Sequence, residues 1–271
     1  MACYREGVEQ YLTYCARVGA DPDLHPNTVA AFTSSVLDAG NSPSTARLRQ
    51  LAVRLFSAWL AAEDEIARDE LLGVKPPKLD QQLVVGLDDD EVTALLKACS
   101  GKSLGDRRDA AIVRLCLETG VRIGEVVAMT TADVDLARGL ATVRRGKGGK
   151  ARTVAFGPAT GSAIDRYIRA RRRHVLADRP ALWLGEKGYG YSYEAAYRSL
   201  GRRAAAAGIA GFHPHRLRHA FASRWLAAGG SEQGLMVTAG WTRREMLDRY
   251  SRDTSAKRAH EEARRLNLGD L

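Results

Sequence analysis

Hydrophobic residues recur every three to four positions through the first part of the chain, and this spacing predicts a bundle of helices. One repeat covers residues 8–15 and a second covers residues 29–37. Ser42 and Pro43 predict the start of a third helix, because a Ser side chain caps free N–H groups and Pro lacks an N–H where none is needed. We therefore expect a small helical domain at this end of the chain.

The third helix has two faces that differ in character. Its predicted core stripe consists of Leu48, Leu51, Leu55 and Trp59. The neighbouring polar face carries Arg47, Gln50 and Arg54. Such a face is either solvated or suited to the phosphates or a groove of a nucleic acid, and solvation is the commoner explanation.

A break in the helical pattern predicts a boundary between two domains. Residues 73–87 contain Pro76, Pro77 and two lysines, a composition typical of a linker. We therefore predict a helical domain over residues 1–72 and a second domain over residues 88–271.

The second domain is predicted to be of the α+β class. Between Leu140 and Phe156 the hydrophobic period changes to two, which indicates two strands joined by a glycine-rich hairpin. Helices are expected over residues 88–96, 106–117, 158–174, 193–207 and from His215 onward, with a tail helix over residues 254–266. The whole chain is thus predicted to be mainly α with a small β-hairpin or sheet.

The charge of the chain favours a polyanionic partner. Its formal net charge is +9 and its pI is near 9.6, and an excess of Lys and Arg raises the local potential for nucleic acid. A basic but otherwise ordinary enzyme is an equal alternative on charge alone. The four cysteines are scattered without a C-x-x-C pair, which suggests neither a disulfide framework nor a zinc site.

No apolar run approaches the roughly 20 residues of a membrane span. The N-terminus also lacks the basic and then apolar layout of a secretory signal. We therefore expect a cytoplasmic protein with no membrane partner.

The helix predicted to begin near His215 carries a cluster of basic groups. His215, Arg218 and His219 are three and four residues apart, so they share one face. Such a face suits a phosphate group. A metal site formed with His213 is the alternative, but the acidic partner usual in H-E-x-x-H is missing.

A second basic position lies near the middle of the chain. Gly120 permits a turn, and Arg122 follows it at a predicted helix start with Glu125 three residues on. Arg122 therefore forms either a structural ion pair with Glu125 or a clamp for an anion. Both interpretations can hold together, with Glu125 orienting the arginine.

These motifs occur in one order and at fixed spacings. They are the T-G-x-R-x-x-E box from Thr119 to Glu125, the H-x-x-R-H box from His215 to His219, Trp241, and Tyr250 nine residues later. The combination resembles the tyrosine recombinase family of the phage-integrase type. Agreement at several positions and two spacings is far more specific than any single motif.

The resemblance implies a role for each of the matching residues. Arg122 and Arg218 would hold the two non-bridging oxygens of a phosphodiester, and Glu125 would be a supporting residue that orients Arg122. Tyr250 would be the nucleophile, and His215 would accept its proton.

In the family a lysine on a β-hairpin protonates the leaving 5′ oxygen. Lys147 is the best match to it and Lys150 is the other candidate, while plain phosphate contact remains the alternative for either. Trp241 or His219 would support the phosphate by packing or hydrogen bonding. The resemblance implies no metal, nucleotide or other cofactor.

The resemblance also implies the partners and the reaction. It implies a site-specific recombinase that binds double-stranded DNA, forms a homo-tetramer on two DNA sites and passes through a Holliday junction, with room for directionality or DNA-bending accessory factors. The helical domain would bind the core DNA site. A type IB topoisomerase and a DNA-binding protein without catalysis are the two alternatives.

Overall fold

The structure is a computed structural model, which describes residues 2–77, 86–144, 151–186, 188–244, 246–247 and 264. The chain divides into two compact units, residues 1–82 and 83–271. Much of the predicted linker, both hairpin lysines and Tyr250 lie outside the described residues. Each unit has its own hydrophobic core.

The first unit contains three long helices, as the hydrophobic repeats predicted. They are α1 (Ala2–Val18), α2 (Pro26–Asp38) and α3 (Pro43–Ala62). The side chain of Ser42 accepts a hydrogen bond from the N–H of Thr45, which confirms the predicted start of α3. The core consists of Tyr11, Cys15, Leu24, Val29, Phe32, Val36, Ala46, Val53 and Leu71.

The predicted core stripe of α3 is wrong. Leu55 and Trp59 are 49% and 53% exposed, whereas Gln50, expected on the polar face, is 4% exposed. The reason is close packing of α1: a Cβ added to Gly7 would lie 2.5 Å from the Cβ of Ala52. The small side chains of Ala46, Ala52 and Ser57 therefore share the buried face with Arg49, Gln50 and Val53, while Leu51, Leu55 and Trp59 are exposed.

The second unit is mainly helical with a small sheet. Its elements are α4 (Asp89–Ala98), α5 (Leu104–Thr119), α6 (Ile123–Val127), a 3₁₀ turn (Thr131–Asp133), β1 (Val134–Asp135), β2 (Leu140–Val143), β3 (Arg152–Ala155), α7 (Pro158–Arg171), α8 (Tyr193–Ala206), α9 (His215–Ala227) and α10 (Glu232–Ala239). The predicted fold class, mainly α with a small β-sheet, is confirmed.

The sheet forms around the predicted hairpin. Strands β1, β2 and β3 are antiparallel and adjacent in that order, with Leu140 opposite Ala155 and Val143 opposite Arg152. The period-2 pattern predicted β2 and β3. It did not predict β1, because two residues are too few to show a period.

Helix α5 lies at the centre of the second unit and packs against α7 and α9. It begins earlier than the predicted Asp106, because Ser103 caps it and Asp106 completes a capping box. Asp88 and Glu91 form a capping box at the start of α4. Residues 181–184 contain two isolated β-bridges, at Ala181 and Leu184.

Among the described residues no helix has the length and apolar character needed to cross a membrane.

Candidate active site

Arg218 is fixed deep in the second unit by two helix ends. It lies one turn into α9 and is 2% exposed. Its Nη1 donates to the carbonyl of Gly120 at 2.6 Å, and its Nη2 donates to the carbonyl of Ala239 at 2.7 Å. Gly120 directly follows α5, and Ala239 is the last residue of α10. The ends of these two helices, together with α9, therefore define the position of the guanidinium.

Gly120 is needed for this arrangement on two counts. It ends α5 with a φ of +63°, a conformation that glycine adopts without steric cost. A Cβ at this position would also lie 2.2 Å from the ring of Phe221 on α9. The glycine therefore allows α9 to approach closely enough for Arg218 to reach the end of α5.

Arg122 lies two residues after Gly120 and is the residue directly before the short helix α6. The carboxylate of Glu125 accepts hydrogen bonds from the backbone N–H of Arg122 at 2.9 Å and from its Nη1 at 3.1 Å. The predicted ion pair with Glu125 is thus present. The side chain of Arg122 remains 29% exposed, so it is also accessible to a ligand.

Arg122, His215 and Arg218 line one cavity of about 850 Å³. They come from positions separated by up to 96 residues of sequence, and the fold brings them to a common wall. Tyr193 and Tyr197 at the start of α8 line the same cavity. Two guanidiniums and an imidazole around one concave surface form a site suited to a phosphate group.

The two histidines of the second box have different environments. His215 is the exposed first residue of α9, whereas His219 is 3% exposed. Their rings are 4.6 Å apart in an edge-to-face arrangement. His215 therefore faces the cavity, and His219 packs behind it.

Trp241 packs against Arg218. The ring centroid lies 5.2 Å from Cζ of Arg218, within the range of a cation–π contact. Trp241 is 6% exposed and belongs to a hydrophobic cluster with Phe221 and Leu235. In the described structure this residue thus combines a core position with contact to a site arginine.

Arg152 is a residue of the site that the sequence did not reveal. It is the first residue of β3, and its side chain is 12% exposed. Its Nη1 and Nη2 donate to the two oxygens of Glu125 at 3.0 and 2.7 Å, and its Nε donates to the carbonyl of Thr238 at 3.0 Å. A lone Arg on a short strand carries no pattern that could have predicted these long-range contacts.

The carboxyl of Glu125 is ionised by its two arginine partners. Burial by itself raises its pKa, but the hydrogen bonds and charges of Arg152 and Arg122 outweigh burial and hold the pKa below its usual value. The carboxylate is therefore negative at neutral pH, and it lies between two positive side chains.

Several predicted site residues either lie outside the described residues or belong to the first unit. Lys147, Lys150 and Tyr250 lie outside the described residues; β2 ends and β3 begins on either side of residues 145–150. Arg47, Gln50 and Arg54 belong to the first unit, where Arg47 is exposed, Arg54 is half-buried and Gln50 is buried. The buried amide of Gln50 is not placed to reach a ligand.

A metal site formed by histidines was an alternative for this region. Within the part of the chain that the structure describes, no three His, Cys, Asp or Glu side chains are grouped so that they could hold a metal ion.

Sequence comparison identifies relatives over most of the chain. The sequence model of the Phage integrase family matches residues 86–257. The tyrosine recombinase XerD of Ralstonia nicotianae is 32% identical over 240 residues, which span 88% of this chain and 78% of that protein. The tyrosine recombinase XerD of Mycobacterium leprae is 36% identical over 191 residues, spanning 66% of this chain and 60% of that protein.

Solved structures show the same fold. The crystal structure of XerA recombinase aligns with a TM-score of 0.59 at 27% identity, covering 97% of this chain and 90% of that one. The XerH site-specific recombinase, solved on its palindromic difH substrate, aligns with a TM-score of 0.78 at 17% identity, covering 97% of this chain and 78% of that one. The XerH likeness, at this identity, is a likeness of fold.

Proposed function

This chain belongs to the phage integrase family of tyrosine-type site-specific recombinases, and from that premise we propose that it cleaves and rejoins double-stranded DNA through a 3′-phosphotyrosyl intermediate. The observation that supports this most directly is the meeting of Arg122, His215 and Arg218 on one cavity. The net charge of +9 supports a polyanion such as DNA as the partner.

The two arginines would act on the scissile phosphate. Arg122 and Arg218 each donate to one non-bridging oxygen and neutralise the charge that grows as phosphorus becomes five-coordinate. Because backbone carbonyls and Glu125 already fix both side chains, little reorganisation is needed during the reaction. Loss of one such donor typically costs about 3–4 kcal/mol of barrier.

Two proton transfers would accompany DNA cleavage. The phenol oxygen of Tyr250 attacks phosphorus, and its proton passes to His215. The bond from phosphorus to the 5′ oxygen breaks, and the leaving oxygen takes a proton from Lys147 or, as the second candidate, Lys150. A free Tyr has a pKa of about 10, so it needs the nearby base to react at neutral pH.

Rejoining would reverse these steps with a new 5′ hydroxyl. The phosphotyrosine keeps the energy of the broken bond, so no nucleotide is consumed. We extend the proposal to a tetramer on two DNA sites that exchanges strands through a Holliday junction. The first unit would bind DNA, with the exposed Arg47 and half-buried Arg54 as contacts, and accessory proteins would set direction.

A covalent-attachment experiment tests the proposal. The full-length protein is incubated with fragmented genomic DNA in EDTA, denatured with detergent, and the DNA that stays attached is sequenced. We expect attachment at a defined sequence, its loss in Tyr250→Phe, and unchanged DNA binding by that variant. No attachment by the wild type would indicate a DNA-binding protein without catalysis, and relaxation of plasmids at any sequence would indicate a topoisomerase.

A further inference from the structure

We propose that Arg152 is a positioning residue whose charge neutralises Glu125, so that Glu125 orients Arg122 without cancelling the charge that Arg122 brings to the phosphate. This inference rests on the proposed function. It assigns Arg152 a role in the chemistry although the residue does not line the cavity.

The hydrogen bonds show that Glu125 is shared unequally between the two arginines. Arg152 makes a two-pronged contact, with Nη1 on Oε1 at 3.0 Å and Nη2 on Oε2 at 2.7 Å. Arg122 uses one side-chain nitrogen, at 3.1 Å, together with its backbone N–H. Only Arg152 places two charged guanidinium N–H donors on the carboxylate, one on each oxygen, and this bidentate geometry is the stronger one, so Arg152 is the main counter-ion of Glu125.

The charges explain why a second arginine is needed. Glu125 is 7% exposed, so water screens its charge poorly. If Arg122 were its only partner, the pair would be neutral and the side chain of Arg122 would be drawn toward the carboxylate. With Arg152 present, the group of three has one net positive charge, and that charge is available beside the cavity.

Arg152 also links the two phosphate-binding arginines mechanically. Its Nε holds the carbonyl of Thr238, and the next carbonyl along the chain, that of Ala239, accepts from Arg218. Gly240 permits this approach, because a Cβ there would lie 3.1 Å from Cζ of Arg152. One side chain therefore contacts the partner of Arg122 and the helix end that holds Arg218.

Single-turnover cleavage of a nicked duplex tests the inference, using the sequence to which the wild type attaches. Arg152→Gln should cleave roughly 10- to 100-fold more slowly, the scale for a residue that supports a reacting group. Arg152→Lys should recover part of the rate, because it restores charge without the two-pronged geometry. Arg169→Gln is the matched control, since it breaks an exposed ion pair with Asp165 and should cleave normally.

Two readouts separate this role from a purely structural one. Adding Glu125→Gln to Arg152→Gln removes the carboxylate that captures Arg122, so the double variant should cleave faster than Arg152→Gln alone. A methylphosphonate at the scissile position has no negative charge to neutralise, so on this substrate the defect of Arg152→Gln should largely disappear. A structural defect would persist on both substrates and would worsen in the double variant.

The outcomes also separate this inference from the proposed function. Absence of wild-type cleavage would overturn the proposed function. Wild-type cleavage together with full activity in Arg152→Gln, or with the same defect on both substrates, would overturn only the role of Arg152. If Arg152→Gln does not fold by circular dichroism, Arg152→Lys compared on the two substrates decides the question in the same way.

Discussion

Two backbone carbonyls, those of Gly120 and Ala239, hold the guanidinium of Arg218. This arrangement needs the planar fork of an arginine, whose N–H donors point in fixed directions. The two carbonyls also act as hydrogen-bond acceptors for a positive charge that lies in the protein interior. At the scale of single residues, the site is therefore determined by the backbone of helix ends as much as by side chains.

We expect Arg218→Lys to impair both stability and cleavage. An ammonium on a flexible stem cannot reproduce both carbonyl contacts, so the free energy of unfolding should fall by about 1–3 kcal/mol. Cleavage should slow by roughly 100- to 1000-fold, as for loss of a preorganised donor. Urea unfolding and single-turnover cleavage measure the two effects. The exposed Arg169→Lys should change neither, and normal cleavage by Arg218→Lys would contradict the proposed role.

The pKa of Glu125 predicts a loss of stability in acid. Because this pKa is lowered in the folded chain, the folded state binds fewer protons than the unfolded state in the acidic range. The stabilisation is complete above the ordinary Glu pKa of about 4.3 and is lost as the pH falls through the lower folded value.

Urea unfolding at a series of pH values tests this expectation. The free energy of unfolding should decrease on acidification in the wild type, and the decrease should be smaller in Glu125→Gln. The exposed Asp178→Asn is the control. An identical pH dependence in Glu125→Gln and the wild type would show that the ionised carboxylate adds no stability.

At the scale of elements, helix α7 ends at Arg171, and two further arginines, Arg172 and Arg173, follow it. Arg171 is 5% exposed and donates to the carbonyls of Ala177, Arg179, Ala181 and Leu182. The loop after α7 folds back over this one side chain. Arg172 and Arg173 remain exposed.

Arg171→Ala should therefore destabilise the protein far more than Arg172→Ala. Loss of Arg171 leaves several carbonyls of the loop without donors, which should lower the free energy of unfolding by about 2–4 kcal/mol. Arg172→Ala should change it by less than roughly 0.5 kcal/mol, as is usual for exposed positions. Denaturant unfolding of both variants measures the difference, and equal values would contradict the structural role of Arg171.

Helices α3 and α7 and strand β3 show where prediction from sequence stops. Local periods and caps predicted most of the helices, although not α10, and motif spacing pointed to Arg122, His215 and Arg218, which line one cavity. The buried face of α3 depended on Gly7 of another helix, the contacts of Arg171 depended on how the loop after α7 folds, and those of Arg152 depended on α10. Those partners are set by tertiary packing, which no local pattern contains.

At the scale of the whole molecule, the basic side chains that give the net charge of +9 differ in their surroundings. Many arginines pair with acids or hold carbonyls. Four cations of the second unit instead line a separate cavity of about 370 Å³ with no acidic residue in its wall: Lys102, Arg107, Arg114 and Arg166. Within the described residues, no ion pair or side-chain hydrogen bond involves any of the four, so their charge contributes fully to the potential around the protein.

We expect this cation cluster to increase the affinity of the protein for duplex DNA of any sequence. Each phosphate contact that is lost lowers the slope of log K against log salt by about 0.9, so Arg114→Gln with Arg166→Gln should weaken binding and reduce the slope by up to roughly 2. Fluorescence anisotropy on a random duplex at several salt concentrations measures both quantities.

The matched control removes the same charge from arginines that already have partners. Arg138 pairs with Asp135, and Arg169 pairs with Asp165. Replacing both by Gln lowers the net charge equally, so it should weaken binding only through the general potential, with little change in slope. Equal slopes for the two double variants would mean that the cluster makes no phosphate contact, and that the excess charge acts on DNA only at long range.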